Sequence, residues 1–101
     1  MKMLLIVFRD SLGEDLRRVL KELNITAFTE APKVLGAGEA GAALDSFDSP
    51  GFNCMIFAAV EEDQAQRVGE GLQAFRDQLA KRQHGAKIPM RVFMLPCERL
   101  V

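Results

Sequence analysis

Two hydrophobic runs, Met3–Phe8 and Cys54–Val60, constrain the fold of this chain more than any other feature. Both runs are apolar at odd and at even positions, and successive side chains of a β-strand point to opposite faces of its sheet. Polar or charged residues follow each run directly, so neither is long enough to cross a membrane or to act as a signal sequence. We therefore expect two strands that bury side chains on both faces.

A helix and a strand are predicted between these two runs. Ser11 and Glu14 have the spacing of a capping box, and apolar residues then recur at helical intervals, which predicts a helix over residues 11–23. Asn24 suits the left-handed conformation that ends many helices. The run Ile25–Thr29 is short and rich in β-branched residues, and it predicts the second strand.

The second half of the chain predicts one more helix and one more strand. The acidic residues Glu61–Asp63 suit the start of a helix, and an apolar stripe follows until the chain reaches Gly85. Gly69 and Gly71 lie inside this helix, where each costs about 1 kcal/mol relative to alanine unless another surface approaches closely. Met90–Leu95 predicts the fourth strand, which gives the order βαββαβ.

This order predicts an α+β fold: a ferredoxin-like βαββαβ sandwich, with a four-stranded antiparallel sheet and two helices on one face. The other face of the sheet has no helix, yet the two hydrophobic runs supply it with apolar side chains. Burying each of them against a partner gains about 1.5–3 kcal/mol, which favours a homo-oligomer whose sheets face one another. The alternative is that connecting segments of the same chain cover this face.

Composition limits the function classes. The chain has 101 residues, the size of one domain over residues 1–101, and 49% of them are hydrophobic. A formal net charge of -1 without blocks of like charge disfavours nucleic acid and membrane surfaces as partners, and the short apolar runs disfavour direct membrane insertion. Cys54 and Cys97 form no C-x-x-C motif, so reduced thiols and a cytoplasmic location are expected.

Residues 31–52 form a long connection between two predicted strands, and such connections in small domains are commonly functional. The spacing G-x-G-x-x-G occurs here at Gly36, Gly38 and Gly41, and in another setting it marks a dinucleotide-binding site. That site needs a long helix directly after the glycines. Ser49–Gly51, with its central proline, would end such a helix within a few turns, so a loop whose glycines permit turns is the favoured interpretation.

Three stretches resemble the PII family of signal-transduction proteins, and together they extend over nearly the whole chain. Leu16–Thr29 is similar to the family's V-R-E-A-L...G-I-T-G-M-T, and Val34–Gly38 is similar to V-x-G-x-G at the base of its T-loop. Val92–Glu98 is similar to I-F-V-L-P-V-E, the most specific of the three motifs. Because the chain also departs from the family pattern, we expect a divergent PII-like protein of the kind that accompanies transporters rather than a nitrogen-sensing PII proper. The resemblance implies a homotrimer that binds a small effector in the clefts between subunits. It also implies that the connection 31–52 is T-loop-like and contacts a target protein, for which a membrane transporter is expected.

The resemblance also implies particular site residues. Gly36 and Gly38 would offer backbone donors to an effector. Lys87 and Arg91 would supply positive charge, since Arg91 stands where the family has a phosphate-contacting lysine. The residues implied for contact with a target are Val34, Glu39, Gly41, Asp45 and Phe47.

Departures from the family pattern predict that an adenine nucleotide binds only weakly. Glu39–Gly41 replaces the family's R-Q-K-G, and residues 84–89 keep little of its glycine- and threonine-rich phosphate loop. The arginines with which the family grips the nucleotide have no counterpart up to Val101. Each lost charge-assisted contact is worth about 1.5–3 kcal/mol, so the expected affinity is no better than about 100 µM.

A second function class is a metal-binding or metal-handling trimer associated with metal transport. Its ligands would be a histidine, a cysteine and carboxylates of the long connection, namely His84, Cys97, Glu39, Asp45 and Asp48. RNA binding is disfavoured because the residues around Phe52 lack the basic and stacking side chains of an RNA-recognition motif. No nucleophile, base and orienting group occur together, so an enzyme is not expected.

Overall fold

The computed structural model describes residues 1–36, 52–85 and 87–101. In chain order, their elements are β1 (Lys2–Arg9), a 3-10 turn (Asp10–Leu12), α1 (Gly13–Glu22), β2 (Thr29–Val34), β3 (Asn53–Val60), α2 (Glu62–Arg82) and β4 (Met90–Pro96). The predicted order of strands and helices is therefore confirmed. Within the described ranges, neither helix is long and apolar enough to span a membrane.

The four strands form one antiparallel sheet in the order β2-β3-β1-β4. β1 and β3, the strands formed by the two hydrophobic runs, lie in the centre, and β2 and β4 form the edges. Leu5 in the middle of β1 lies opposite Phe57 of β3 and Phe93 of β4. This topology confirms the predicted ferredoxin-like α+β fold.

The hydrophobic core lies between the sheet and the two helices. The even-numbered residues of β1 and β3 point towards the helices, and most of their side chains are buried. The largest fully buried side chains are Phe8, Leu4, Ile6, Leu16, Leu20, Ile56, Leu72 and Val68. Burying a side chain of this size gains about 1.5–3 kcal/mol, so these contacts hold both helices on one side of the sheet.

The opposite side of the sheet, called the open face below, consists of the odd-numbered residues of the three strands β1, β3 and β4. Its apolar residues are Met3, Leu5, Val7, Met55, Phe57, Ala59, Phe93 and Leu95, and its polar residues are Arg9, Asn53 and Arg91. Neither helix packs on this side, and the exposed fractions of Phe57, Phe93 and Leu95 are 37%, 47% and 47%. A contiguous apolar surface of this kind indicates an interaction surface.

The second strand lies later in the chain than the sequence predicts. Residues 25–28 belong to no strand, and β2 covers Thr29–Val34 instead. The NH of Ile25 donates to a carbonyl of α1 (2.8 Å) and its side chain is buried, so this residue completes the end of the helix. β2 then includes Pro32, which an edge strand tolerates because it needs no donor on its outer side. The connection predicted over 31–52 therefore begins only after β2.

The predicted capping box of Ser11 and Glu14 is wrong. The chain forms a 3-10 turn here, and neither this turn nor α1 has a side-chain hydrogen bond at its N-terminus. A capping box begins α2 instead, where the side chains of Glu61 and Gln64 each accept a hydrogen bond from the other's backbone NH. The predicted end of α1 is confirmed, since Asn24 has a φ of 64°.

The two glycines inside α2 have different surroundings. A Cβ atom at Gly71 would lie 2.6 Å from a methyl carbon of Leu23 at the end of α1, which confirms a close approach there. At Gly69, the described part of the chain places no atom within 4 Å of such a Cβ atom. Packing of the described residues therefore accounts for Gly71 but not for Gly69.

Candidate functional site

The backbone is irregular at the base of the long connection, where β2 ends and β3 begins. The pairing of the two strands shifts between Ala31 and Val34, and Lys33 has a positive φ of 56°, which is rare for a residue other than glycine. The Lys33 ammonium lies 6.0 Å from the ring centroid of Phe52, within range of a cation–π attraction. The bulge and this contact together set the direction in which the chain leaves β2.

Gly36 lies against Asn53, the first residue of β3. A Cβ atom at position 36 would be 2.7 Å from Nδ2 of Asn53, closer than real side chains allow. A side chain at position 36 would therefore displace the Asn53 amide. Glycine avoids this contact and leaves the backbone of residue 36 uncovered by a side chain. Gly38, the second predicted backbone donor, lies outside the described residues.

The turn after β1 connects the base of the long connection to the lead-in of β4. The NH of Arg9 donates to the carbonyl of Pro89 (3.0 Å), and the NH of Asp10 donates to the carbonyl of Phe52 (2.8 Å). These two bonds tie the start of β3 and the residues before β4 to the same turn. The predicted cation Lys87 therefore lies at the same end of the sheet as the base of the connection.

Within one chain, however, the predicted ligand residues form two separate groups. Gly36 follows β2 at one edge of the sheet, whereas Lys87 and Arg91 belong to the lead-in and strand at the other edge, β4. Three strand spacings of about 4.8 Å separate the two edges by about 14 Å. A ligand that touched both groups in a single chain would have to span this distance.

A groove of about 650 Å³ runs between α2 and β4. Its lining includes the cations Arg76 and Lys87 and also Arg91, a residue of β4 whose side chain belongs to the open face. Within the described chain, no acidic residue lines the groove. Apolar side chains such as Ile88 and Met90 form the rest of its floor. The volume lies in the range of small-molecule sites, and the charge favours an anionic occupant.

Of the residues predicted to contact a target, the structure describes only Val34. This residue ends β2, is partly buried and lies opposite Asn53. It therefore belongs to the sheet rather than to a free loop. The other four, Glu39, Gly41, Asp45 and Phe47, lie outside the described residues, as does Asp48 of the metal hypothesis.

His84 and Cys97, two predicted ligands of the metal-binding trimer, lie far apart within one chain. The NH of Cys97 donates to the carbonyl of Met1 (3.3 Å), and the amino group of Met1 lies 3.1 Å from the carboxylate of Glu62, the first residue of α2. His84 lies two residues beyond Arg82, the last residue of the same helix. The 21 residues of α2 span about 30 Å, so the two side chains lie at opposite ends of the molecule. Moreover, the described ranges contain no cluster of three histidine, cysteine or carboxylate side chains able to hold a metal ion.

Sequence reasoning missed three residues of this region. Lys33 and Asn53 shape the base of the connection, and Arg76 brings a third cation to the groove. Arg76 follows Gly69 by seven residues and so lies on the same side of α2. The helical spacing of Arg76 from Gly69 could therefore have predicted that Arg76 lies beside the groove. No feature of the local sequence predicts the left-handed conformation of Lys33.

The whole chain matches one protein family. The sequence model of the family described as Nitrogen regulatory protein P-II matches residues 1–101. The chain therefore belongs to this family, which confirms the resemblance of its motifs. No curated protein matches the chain.

Solved structures of PII-like proteins share its fold. CPII, a nitrogen regulatory PII-like protein from Thiomonas intermedia K12 bound to ADP, AMP and bicarbonate, is 22% identical with a TM-score of 0.69, and the match covers 93% of this chain and 88% of CPII. The apo form of CPII matches with 22% identity and a TM-score of 0.64, over 92% and 84% of the two chains. A DUF3240 family protein from Shewanella baltica OS155 is 16% identical with a TM-score of 0.64, over 97% and 90% of the two chains.

Proposed function

We propose that this chain is a regulatory protein that binds an adenine nucleotide in the clefts between the subunits of a homotrimer. The family match over residues 1–101 carries the proposal. The nucleotides and bicarbonate bound to CPII, a protein of the same fold, support it. In this role the protein binds an effector and signals to a target, and it performs no catalysis.

The homotrimer is supported by the open face. Leu5 lies in the middle of this face between Phe57 and Phe93, and all three side chains would lose contact with water if the faces of three subunits met. Burial of each large apolar side chain contributes about 1.5–3 kcal/mol, so the trimer is more stable than three isolated chains that leave these side chains exposed.

The proposed cleft joins the base of the connection in one subunit to the β4 edge of the next. The backbone of Gly36 and Gly38 donates hydrogen bonds to the ligand, while Lys87 and Arg91 neutralise its phosphates. These groups lie on opposite edges of one sheet, so two neighbouring subunits are needed to bring them together. Because residues 84–89 keep little of the family's phosphate loop, the affinity is no better than about 100 µM.

The connection between β2 and β3 is proposed to contact the target protein, a membrane transporter. The irregular base of this connection supports that role. Lys33, with its positive φ, and Asn53, whose amide lies against Gly36, flank this connection, and the segment between them is long enough to reach a partner.

Isothermal titration with ATP, ADP, AMP and bicarbonate tests the effector. Wild type should bind a nucleotide with a Kd of about 100 µM or weaker, and Arg91→Ala should weaken binding by about 10-fold or more, the value of one charge-assisted bond. Arg67→Ala is the matched control, because Arg67 is exposed and lies on the side of α2 away from the groove.

Three results would contradict the proposal in different ways. If none of the four ligands bound at millimolar concentration, none of them would be the effector of this protein. If Arg91→Ala bound the nucleotide as tightly as wild type, Arg91 would not contact the nucleotide. Low-micromolar binding by wild type would show that the missing motifs are not needed for affinity.

A further inference from the structure

Three sulfur-containing side chains lie at the end of the sheet where β1 begins and β4 ends. Met3 belongs to the open face at the start of β1. Met1 and Cys97 directly adjoin β1 and β4, and the NH of Cys97 donates to the carbonyl of Met1 (3.3 Å). We propose that these three side chains form a binding site for a soft monovalent metal ion, Cu(I).

The hydrogen bond between Cys97 and Met1 extends the pairing of β1 with β4 by one step. The regular partners nearest to this end of the sheet are Lys2 and Pro96, so Met1 and Cys97 are the next pair in the same register. Successive side chains of a strand alternate between the faces of its sheet. Met1 and Cys97 therefore lie on the same face as Met3.

The spacing of the three side chains suits a single ion. Side chains directly opposite each other in an antiparallel pair, such as Met1 and Cys97, have Cβ atoms about 5 Å apart. Met3 lies two residues along β1 from Met1 and diagonally from Cys97, at about 7 Å from each. Metal–sulfur bonds of about 2.3 Å bring two sulfur atoms within about 5 Å of each other. The three rotatable bonds of methionine cover the remaining difference.

The surroundings of the three side chains leave space for an ion and fix the backbone. Met3 lies opposite Ala59 of β3, the smallest of the apolar residues on the open face. All three sulfur-containing residues are partly buried, so an ion reaches them from solvent. Met1 is held through its carbonyl by Cys97 and through its ammonium by Glu62 (3.1 Å). These contacts reduce the freedom that Met1 would lose on binding the ion.

The kind of ligand selects the metal. Thioether and thiolate groups are soft donors, which favour Cu(I) over Mg²⁺, Ca²⁺ and Mn²⁺. Zinc in proteins is bound by thiolate, imidazole and carboxylate, and methionine is not among these ligands. Binding displaces the proton of the Cys97 thiol to solvent, so one thiolate balances the single charge of Cu(I). A neutral site suits the apolar open face, where a divalent ion would leave a charge without a partner.

The proposed metal site is separate from the proposed nucleotide cleft. Six residues along β1 separate Met3 from Arg9, whose NH is bonded to the residues before β4, so the two ends of the strand are about 20 Å apart. All three ligands belong to one chain, so the site requires neither the homotrimer nor the nucleotide. His84 follows the far end of α2, and the two thioethers supply the donors beside Cys97 that His84 cannot reach.

Titration of the reduced protein with Cu(I) under anaerobic conditions, with bicinchoninate as the competing chelator, tests the site. Wild type should bind one Cu(I) per chain. Cys97→Ser and Met3→Leu should each weaken binding at least about 10-fold, because even the loss of a group that only orients a ligand costs about 10- to 100-fold. Cys54→Ala and Met94→Leu are the matched controls, since both residues pack with the core on the helix side of the sheet. Both controls should bind Cu(I) like wild type.

Silver provides a second measurement on the wild-type chain, because Ag(I) is a soft monovalent ion that does not change its oxidation state in air. The chain has five methionines, and each gives one methyl signal by NMR. One equivalent of Ag(I) should shift the signals of Met1 and Met3. The signals of Met55, Met90 and Met94 should not move.

Circular dichroism shows whether the variants fold, and if one of them does not, the methyl signals of wild type decide. Four results would overturn the site: no binding of Cu(I) by wild type, undiminished binding by folded Cys97→Ser or Met3→Leu, Ag(I) shifts that do not single out Met1 and Met3, or one ion for every three chains. Displacement of Cu(I) by an equal concentration of Zn²⁺ would overturn the choice of metal. None of these results would change the nucleotide affinity expected for the cleft.

Discussion

Arg17 and Glu30 form a two-pronged ion pair that joins α1 to β2. Nε of Arg17 donates to Oε1 of Glu30 (3.1 Å), and Nη2 of Arg17 donates to Oε2 (3.2 Å). The guanidinium also lies over Gly13, where a Cβ atom would be 2.9 Å from Nη2. Two parallel bonds fix the orientation of both side chains. The edge strand that leads into the long connection is thereby attached to the helix layer.

We expect Arg17→Lys to destabilise the protein, because an ammonium group cannot make two parallel bonds to a carboxylate. The exposed fractions of the Arg17 and Glu30 side chains are 45% and 21%, so screening by solvent limits the loss to about 0.5–1 kcal/mol. Urea unfolding of both single variants and of the double variant with Glu30→Gln measures the coupling. Arg18→Lys is the control, since Arg18 pairs with Asp15 on the surface of the same helix. Fully additive effects would mean that the pair contributes nothing to stability.

We expect the effect of Gly71→Ala on stability to depend on the side chain of residue 23. In wild type, the added methyl group meets Leu23 at 2.6 Å, so the leucine must move and the gain in helix propensity is cancelled or reversed. In a Leu23→Ala background the obstacle is gone, and the same substitution should stabilise by up to about 1 kcal/mol. Thermal unfolding of the four chains measures both effects. Equal effects in the two backgrounds would contradict the close approach.

The order of elements was predictable because its signals are local. Continuous apolar runs mark β1 and β3, and helical patterns of apolar residues mark α1 and α2 and report which side of each helix meets the core. The prediction of a strand over 25–29 is wrong for residues 25–28, because a hydrogen bond and burial hold Ile25 at the end of α1. Tertiary packing overrode the β-propensity of this segment.

The candidate site was predictable only in part. Family motifs suggest Gly36, Lys87 and Arg91 as ligand residues, a role that stays a prediction, and the structure places all three towards one end of the sheet. His84 and Cys97, the predicted metal ligands, flank β4 at opposite ends and so lie far apart within one chain despite their short separation in sequence. The distance between these two residues depends on the directions in which β4 and α2 run, and sequence motifs do not specify those directions.

The Met1–Glu62 ion pair predicts a pH dependence of stability. The pKa of Glu62 is lowered from its ordinary value of 4.5, first because its carboxylate accepts a hydrogen bond from the Met1 ammonium and then because the ammonium is positively charged. A lowered pKa in the folded state means that the pair stabilises the fold above pH 4.5. This stabilisation is lost as the pH falls through the lowered pKa of the folded state.

We therefore expect Glu62→Gln to be less stable than wild type near neutral pH and to approach wild type in acid. Thermal unfolding over a pH series measures the difference, and a carboxyl titration by NMR measures the pKa of Glu62 directly. Glu70→Gln is the control, because Glu70 accepts a hydrogen bond from the uncharged Gln66 on the same helix. A difference between Glu62→Gln and wild type that stayed constant with pH would exclude the ion pair as its source.

The open face predicts that a single charge placed on it separates the subunits without unfolding them. Phe57 lies next to Leu5 on this face and is 37% exposed, so it contributes little to the core on the other side of the sheet. Phe57→Lys removes about 1.5–3 kcal/mol of apolar burial from each subunit of a trimer and would bury an unpaired charge in its place. We expect sedimentation at micromolar concentrations to show a trimer for wild type and a monomer for Phe57→Lys, with the same circular dichroism. Gln78→Lys, which carries the same charge on the exposed side of α2, should remain a trimer; a trimeric Phe57→Lys would mean that subunits do not meet through the open face.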